Sequence, residues 1–279
     1  MSMRLLPLTA CLLIAFGTHA QQGSITSMTP RGPLTLSTFD YTAGAFCSMT
    51  WGGVQFIDAK DHGRCLQSAV SFDGMGEAFN PTEAGGSQFT DGFLPAPSSS
   101  KVMNYVIDRA TLATEIRMAF WNPVAGQRTS SYVHRKWVQV GMPGKPRVIA
   151  YGADFEIPAT ASHSVGQFEI LTGYMPSNFS RFYTLNPATG ALQTLDDGPG
   201  EQAHPVIFST ADGQHAIGIY SVTPLVGGGY GRWRFADCVK WNVVSRASGP
   251  RGTVRFNVRV VVGTLNQVVP DLFQISNAK

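Results

Sequence analysis

Apolar and polar residues alternate with a period of two along most of this chain, the pattern of strands that bury one face and wet the other. In Thr111–Trp121 the residues Leu112, Thr114, Ile116, Met118 and Phe120 fall on one side. Ser131–Val140 places Tyr132, His134, Lys136, Val138 and Val140 on one face and Val133, Arg135, Trp137 and Gln139 on the other. Arg147–Ile157, Val165–Tyr174, His215–Val222, Tyr230–Phe235 and Thr253–Gly263 read similarly, and Trp51–Ile57 and Leu66–Phe72 read as core strands. Thirty glycines and 17 prolines punctuate these runs at short intervals. The pattern predicts roughly fourteen to eighteen strands. Only Leu265–Ile275 suggests helix, a turn or two broken at Pro270. Without βαβ alternation a parallel α/β fold is disfavoured. The expectation is an all-β chain, a large antiparallel two-sheet sandwich with little helix. The segment Pro95-Ala96-Pro97-Ser98-Ser99-Ser100 reads as a linker or as a surface loop within one domain, and the second reading makes residues 21–279 a single domain.

Residues 1–20 have the form of an export signal: a single charge at Arg4, an apolar core from Leu5 to Phe16, and small residues around Thr18-His19-Ala20. That core is too short to span a bilayer, and no later stretch is long enough, so the expectation is a secreted or periplasmic protein with no integral membrane segment. Removing the signal leaves 20 basic against 18 acidic residues, a net charge of +2. Charged residues make up only 14% of the chain, and no basic block occurs. A nucleic-acid partner is therefore disfavoured. Hydrophobic residues reach 43%, enough for a sizeable core. Outside the signal, Cys47, Cys65 and Cys238 form an odd set, leaving one disulfide or none, in any pairing.

The densest polar stretch runs from Asp58 to Gly86. Asp61-His62-Gly63-Arg64 gathers a carboxylate, an imidazole and a guanidinium in one turn, with Gln67 following. Arg64 would keep Asp61 ionised, and His62 has the range for proton transfer near neutral pH. The same residues also make a good turn that Arg64 staples through Asp58 or Asp61. Asn80-Pro81-Thr82-Glu83-Ala84-Gly85-Gly86 is a second polar loop. Were Asp61 and Glu83 to meet across one cleft, at about 5–9 Å, they would form the carboxylate pair of glycoside hydrolysis. His134 either faces such a cleft or sits on a solvated sheet face. Glu156 and Glu169 are further carboxylates on neighbouring strands. Five tryptophans are present, and indole faces stack on sugar rings. Trp233, between Arg232 and Arg234, reads as the most exposed of them, on a segment that is either a mobile lip or a glycine hairpin.

No nucleophile elbow, zinc-protease motif, P-loop or dinucleotide fingerprint occurs. No cysteine–histidine spacing suits a metal, and the pairs Asp58/Asp61 and Asp196/Asp197 lack calcium-loop spacing. No metal or cofactor is therefore expected. The runs Asp61-His62-Gly63-Arg64-Cys65-Leu66-Gln67 and Asn80-Pro81-Thr82-Glu83-Ala84-Gly85 resemble a D-H-G-R-x-L-Q core and a later N-P-x-E-x-G of secreted bacterial β-sandwich proteins near carbohydrate-active enzymes, of the galactose-mutarotase-like supersandwich type. The resemblance covers about thirty residues and implies a supersandwich whose concave face holds a saccharide; the fold alone does not choose the reaction. The expectation is glycoside hydrolysis with Asp61, His62, Glu83 and His134 as catalytic groups and Arg64, Gln67, Asn80, Glu156, Tyr174 and Trp233 holding substrate. The alternatives are a polysaccharide lyase using His or Tyr with Arg, or a non-catalytic glycan-binding envelope protein. Oligomeric state is left open.

Overall fold

The period-two pattern folds as it reads. A computed structural model describes residues 21–86, 94–122 and 129–278; the export signal lies outside the described residues. Nineteen strands form among them. The first six are β1 (Gln21–Thr29), β2 (Gly32–Phe39), β3 (Phe46–Trp51), β4 (Val54–Gln55), β5 (Gln67–Phe72) and β6 (Pro81–Thr82). The long central strands are β7 (Lys101–Ile107), β8 (Thr111–Phe120), β9 (Thr129–Met142), β10 (Lys145–Ile157) and β11 (Val165–Pro176). There follow β12 (Arg181–Leu185), β13 (Leu192–Leu195), β14 (Gly200–Gln202), β15 (Val206–Ser209), β16 (Ala216–Ser221), β17 (Tyr230–Arg234), β18 (Cys238–Ser248) and β19 (Gly252–Gly263). One helix, α1 (Leu265–Ser276), closes the described chain.

The strands make two antiparallel sheets. Four lie in the order β1-β2-β3-β4; the other sheet runs β13-β12-β15-β16-β19-β10-β9-β8-β6-β5-β11-β18-β17-β14, with β7 added on β8. The large sheet folds over on itself. Phe155 of β10 and Phe256 of β19 lie 5.2 and 5.6 Å from the ring of Phe168 on β11, although several strands separate β10 from β11 along the sheet. The right-handed twist of long strands permits this closure, which buries the alternate residues of both halves in one core. The small sheet packs its β1 and β2 against β9 and β10.

Three local expectations are corrected. Trp51–Ile57 is not one strand: Gly52 and Gly53, at φ +58° and +79°, reverse the chain in a tight hairpin turn between β3 and β4. The C-terminal helix runs through Pro270 for 12 residues, because Val268 and Leu272 bury completely against Val148, Ile207 and Val261 and that packing outweighs the one hydrogen bond proline removes. The segment Tyr230–Trp233 is no mobile lip. It lies in β17, bonded to β18 on one side and β14 on the other. Ser98, Ser99 and Ser100, at the end of the proline-rich segment, donate side-chain hydrogen bonds to the carbonyls of Ala84, Gly86 and Thr82, which ties that segment against the Asn80–Gly86 loop.

Candidate functional site

The outer face of β6, β5, β11, β18 and β17 is the floor of a cleft of about 800 Å³. Gln67, Ala69 and Ser71 enter from β5, Thr82 from β6, Gln167, Glu169, Thr172 and Tyr174 from β11, Trp233 from β17 and Lys240 from β18. Asp61, Arg64, the Gly74–Asn80 loop, Trp121, Phe235 and Asp237 form the walls. Gln167 and Glu169 have one sequence parity and Thr172 and Tyr174 the other, so a regular strand would split them between faces. A bulge at Ile170–Leu171, where register slips against both β5 and β18, brings all four to the cleft. Phe168, Ile170 and Leu171 remain in the core. Trp233 can lie flat because residue 231 is glycine: a Cβ there would stand 2.4 Å from the indole.

The two sequence motifs prove to be one hydrogen-bonded unit. Asp61 Oδ1 accepts from the Arg64 backbone N–H at 3.0 Å and caps the short 3₁₀ turn His62–Arg64. Gln67 Nε2 donates to the His62 carbonyl at 2.6 Å, while Gln67 Oε1 accepts from the Ala84 N–H at 2.9 Å. Gln67 thus bolts the Asp-His-Gly-Arg turn to the Asn-Pro-Thr-Glu loop. A disulfide from Cys47 to Cys65 fixes the end of the turn to β3. Cys238 is buried and free, its thiol pushed up to about 12 chiefly by burial. His62 is buried, and its Nε2 bonds the Tyr41 carbonyl at 3.0 Å. It holds the turn and does not line the cleft.

Arg64 is the charged hub of the wall. Its guanidinium meets Asp58 at 2.7 Å, Asp237 at 2.9 Å and Asp61 at 3.4 Å. Lys60 Nζ also reaches Asp237, at 3.2 Å. Partial burial raises the Asp61 carboxyl above its ordinary range, outweighing the opposing pull of Arg64. Across the floor, Glu169 accepts from Lys240 Nζ at 3.4 Å and from Asn242 Nδ2 at 3.1 Å. The Lys240 ammonium lies 5.1 Å from the Trp233 ring centroid and 5.2 Å from that of Tyr174. Burial works to lower this ammonium, but Glu169 and Tyr174 outweigh it and leave it raised. Burial raises the Tyr174 phenol.

Glu83 does not meet Asp61 across the cleft. Thr82 points to the cleft, so its neighbour Glu83 points the other way, into the core, where it is fully buried. There it forms an ion pair with the fully buried Lys136 and accepts from the Ser68 N–H at 3.1 Å. Lys136 also donates to the Gly44 carbonyl at 2.6 Å. Tyr151 OH lies 2.9 Å from Ser68 Oγ, which completes a closed polar island. His134 belongs to the same island. It is fully buried, 4.0 Å from Glu83 and beside the Phe155 ring, with no hydrogen-bond partner for either ring nitrogen among the described residues. Burial pushes it down to about 4. Alternation correctly put His134 and Lys136 on one face of β9, but that face is the core. Glu156 lies elsewhere, paired with Arg135 at 2.5 Å on the outer face of β10 and β9. Trp233 is half-buried, and Trp137, at 46% exposure, is the most exposed tryptophan among the described residues.

The structure therefore brings Asp61, Arg64, Gln67, Asn80, Tyr174 and Trp233 to one cleft and takes His62, Glu83, His134 and Glu156 away from it. Trp121, Gln167, Phe235, Asp237 and Lys240 are cleft residues that the sequence reading missed. For Lys240 a signal existed, since it shares a face of an alternating strand with Asn242.

No protein-family model and no curated protein matches the chain. Similar solved structures include an α-galactosidase of glycoside hydrolase family 36 from Geobacillus stearothermophilus, at 9% identity and a TM-score of 0.45 over 87% of this chain. This chain spans 41% of that enzyme's length. The Slr1438 protein of Synechocystis is 11% identical at a TM-score of 0.46, covering 88% of this chain and 98% of its own. A heparinase III, the BT4657 gene product, is 9% identical at 0.46, covering 88% of this chain and 36% of its own. At identities this low the function rests on the cleft itself.

Proposed function

We propose that this is an exported protein that binds an oligo- or polysaccharide in the cleft and hydrolyses a glycosidic bond there. The observation that carries the reading is the mixture in one cleft: the rings of Trp121, Tyr174 and Trp233 together with Asn80, Gln167, Asp61 and Glu169. Indole and phenol faces take the apolar CH face of a sugar, and amides and carboxylates take its hydroxyls. Asp61, its carboxyl raised by burial, is the proton donor to the leaving oxygen. Glu169, oriented by Lys240 and Asn242, is the second carboxylate, which activates water or attacks the anomeric carbon. A lyase reaction would need a phenolate or imidazole base, and Tyr174 is shifted away from ionisation while both His62 and His134 are buried.

The test is product release from a panel of polysaccharides, followed by reducing ends and by the ultraviolet absorbance of unsaturated uronates. Asp61→Asn and Glu169→Gln are expected to lower kcat by about a hundredfold or more, and Trp233→Ala to raise KM by about tenfold. Near-wild-type turnover in both carboxylate variants removes the hydrolase reading. One observation favours a second reading: both carboxylates assigned to catalysis, Asp61 and Glu169, already hold basic partners, Arg64 and Lys240, as in a rigid binding site. Saturable binding with no product after long incubation selects non-catalytic glycan recognition. Amino-terminal sequencing of the exported protein checks for a start at Gln21.

A further inference from the structure

The charge balance of the cleft limits what kind of saccharide it can hold, and this inference rests on the cleft's being a saccharide site. Its described cations are already engaged. Arg64 contacts Asp58, Asp61 and Asp237 within 3.4 Å. Lys60 is held by Asp237, and Lys240 by Glu169 against two ring faces. Arginines nearby are matched one for one: Arg246, which bonds Gln167, is held by both oxygens of Glu201, and Arg234 by Asp197. One cleft carboxylate has no counter-charge among the described residues. Glu77, exposed at the start of the loop over the cleft, makes no ion pair or hydrogen bond through its side chain among the described residues, and its charge acts on the Tyr174 phenol at the floor. Among the described residues the cleft, with its wall, thus sets five carboxylates (Asp58, Asp61, Glu77, Glu169 and Asp237) against three cations (Lys60, Arg64 and Lys240). Protonating Asp61 still leaves it negative. Among the described residues a uronate entering here finds no unpaired cation and meets an excess of like charge, whereas an ammonium meets an unpaired carboxylate.

We infer that the cleft selects saccharides carrying a free amino group, with Glu77 receiving the ammonium, and rejects polyuronates. Three length-matched probes test this with the full-length mature protein: a glucosamine oligomer, its N-acetylated counterpart and a galacturonate oligomer. Binding is measured by titration calorimetry at about pH 5.5, where a primary amine is protonated, in low and in high salt. The glucosamine oligomer is expected to bind about fivefold tighter than the acetylated one and at least about tenfold tighter than the uronate, with both gaps shrinking in high salt. Glu77→Gln, a surface change with no partner to lose among the described residues, should narrow the glucosamine advantage, and Glu77→Lys should abolish it. Equal binding of the glucosamine and acetylated oligomers, or a preference for the uronate, overturns the charge inference and leaves the saccharide reading standing. Failure of all three to bind overturns both.

Discussion

His134 offers the sharpest check on the buried side of this sheet. Its ring is fully enclosed, packed against Phe155, and neither nitrogen has a hydrogen-bond partner among the described residues. Desolvation of the imidazolium is the largest influence, with Lys136 adding to it and Glu83 opposing, and the group sits at about 4 instead of 6.5. Between those values the unfolded chain binds a proton that the folded chain refuses, so stability rises with pH across this window and is lost as pH falls through it. A displacement of this size costs about 2 kcal/mol by pH 5 and about 3 kcal/mol by pH 4, relative to pH 7 and above. Other groups also titrate in acid, so the wild type alone does not isolate the effect. His134→Leu removes the titrating ring and two unpaired polar atoms, and the difference between the two proteins reports His134. Urea unfolding at several pH values should show His134→Leu within about 1 kcal/mol of wild type at pH 7.5 and gaining about 3 kcal/mol relative to it by pH 4. Saccharide binding should not change, because the ring lies on the core face. Equal acid sensitivity in the two proteins, or loss of saccharide binding in the variant, refutes the assignment.

Two further outcomes follow from the same architecture. Glu83→Gln and Lys136→Met should each destabilise the fold by about 3–5 kcal/mol, since each strands a buried charge, whereas the double variant should recover a large part of that loss; a double variant as unstable as the sum of the singles would count against a buried pair. The Cys47–Cys65 disulfide closes a loop of 18 residues, so Cys47→Ser/Cys65→Ser should lower unfolding free energy by about 3 kcal/mol by chain entropy, read by denaturant titration, and mass spectrometry should find Cys238 as the one free thiol among Cys47, Cys65 and Cys238.

The Asp-His-Gly-Arg and Asn-Pro-Thr-Glu motifs stand out in the sequence for their polarity, and the fold shows why polarity alone misassigns them. Half of each motif builds the cleft wall and half locks the wall to the core. Asp61, Arg64 and Asn80 reach the cleft, as does Gln67, which also locks the wall. His62, Gln67 and Glu83 hold the wall through the Tyr41 carbonyl, the Ala84 N–H and Lys136 respectively. A carboxylate paired with a lysine inside a sheet and one poised over a cleft look alike in one dimension, because the partner is supplied by a strand more than fifty residues away.

Strand positions, the paucity of helix and the face on which each β9 residue lies were legible from alternation, a property of neighbouring residues that the pleat translates directly into geometry. Which of two faces is the core is not a local property. It depends on how the long sheet folds over until β10 and β19 meet β11, and that decision placed His134 and Lys136 inside. The β11 bulge is equally invisible to a period-two reading, since one inserted residue reverses parity and only the register with β5 and β18 reveals it. Pairing of Cys47 with Cys65 likewise followed from the His62–Arg64 turn meeting β3, and that of Glu169 with Lys240 from two strands brought together by the sheet. The sequence determined which residues alternate; the closure of the sheet decided which of them meet water, substrate or each other, because burial and charge pairing are set by distances between strands and not along them.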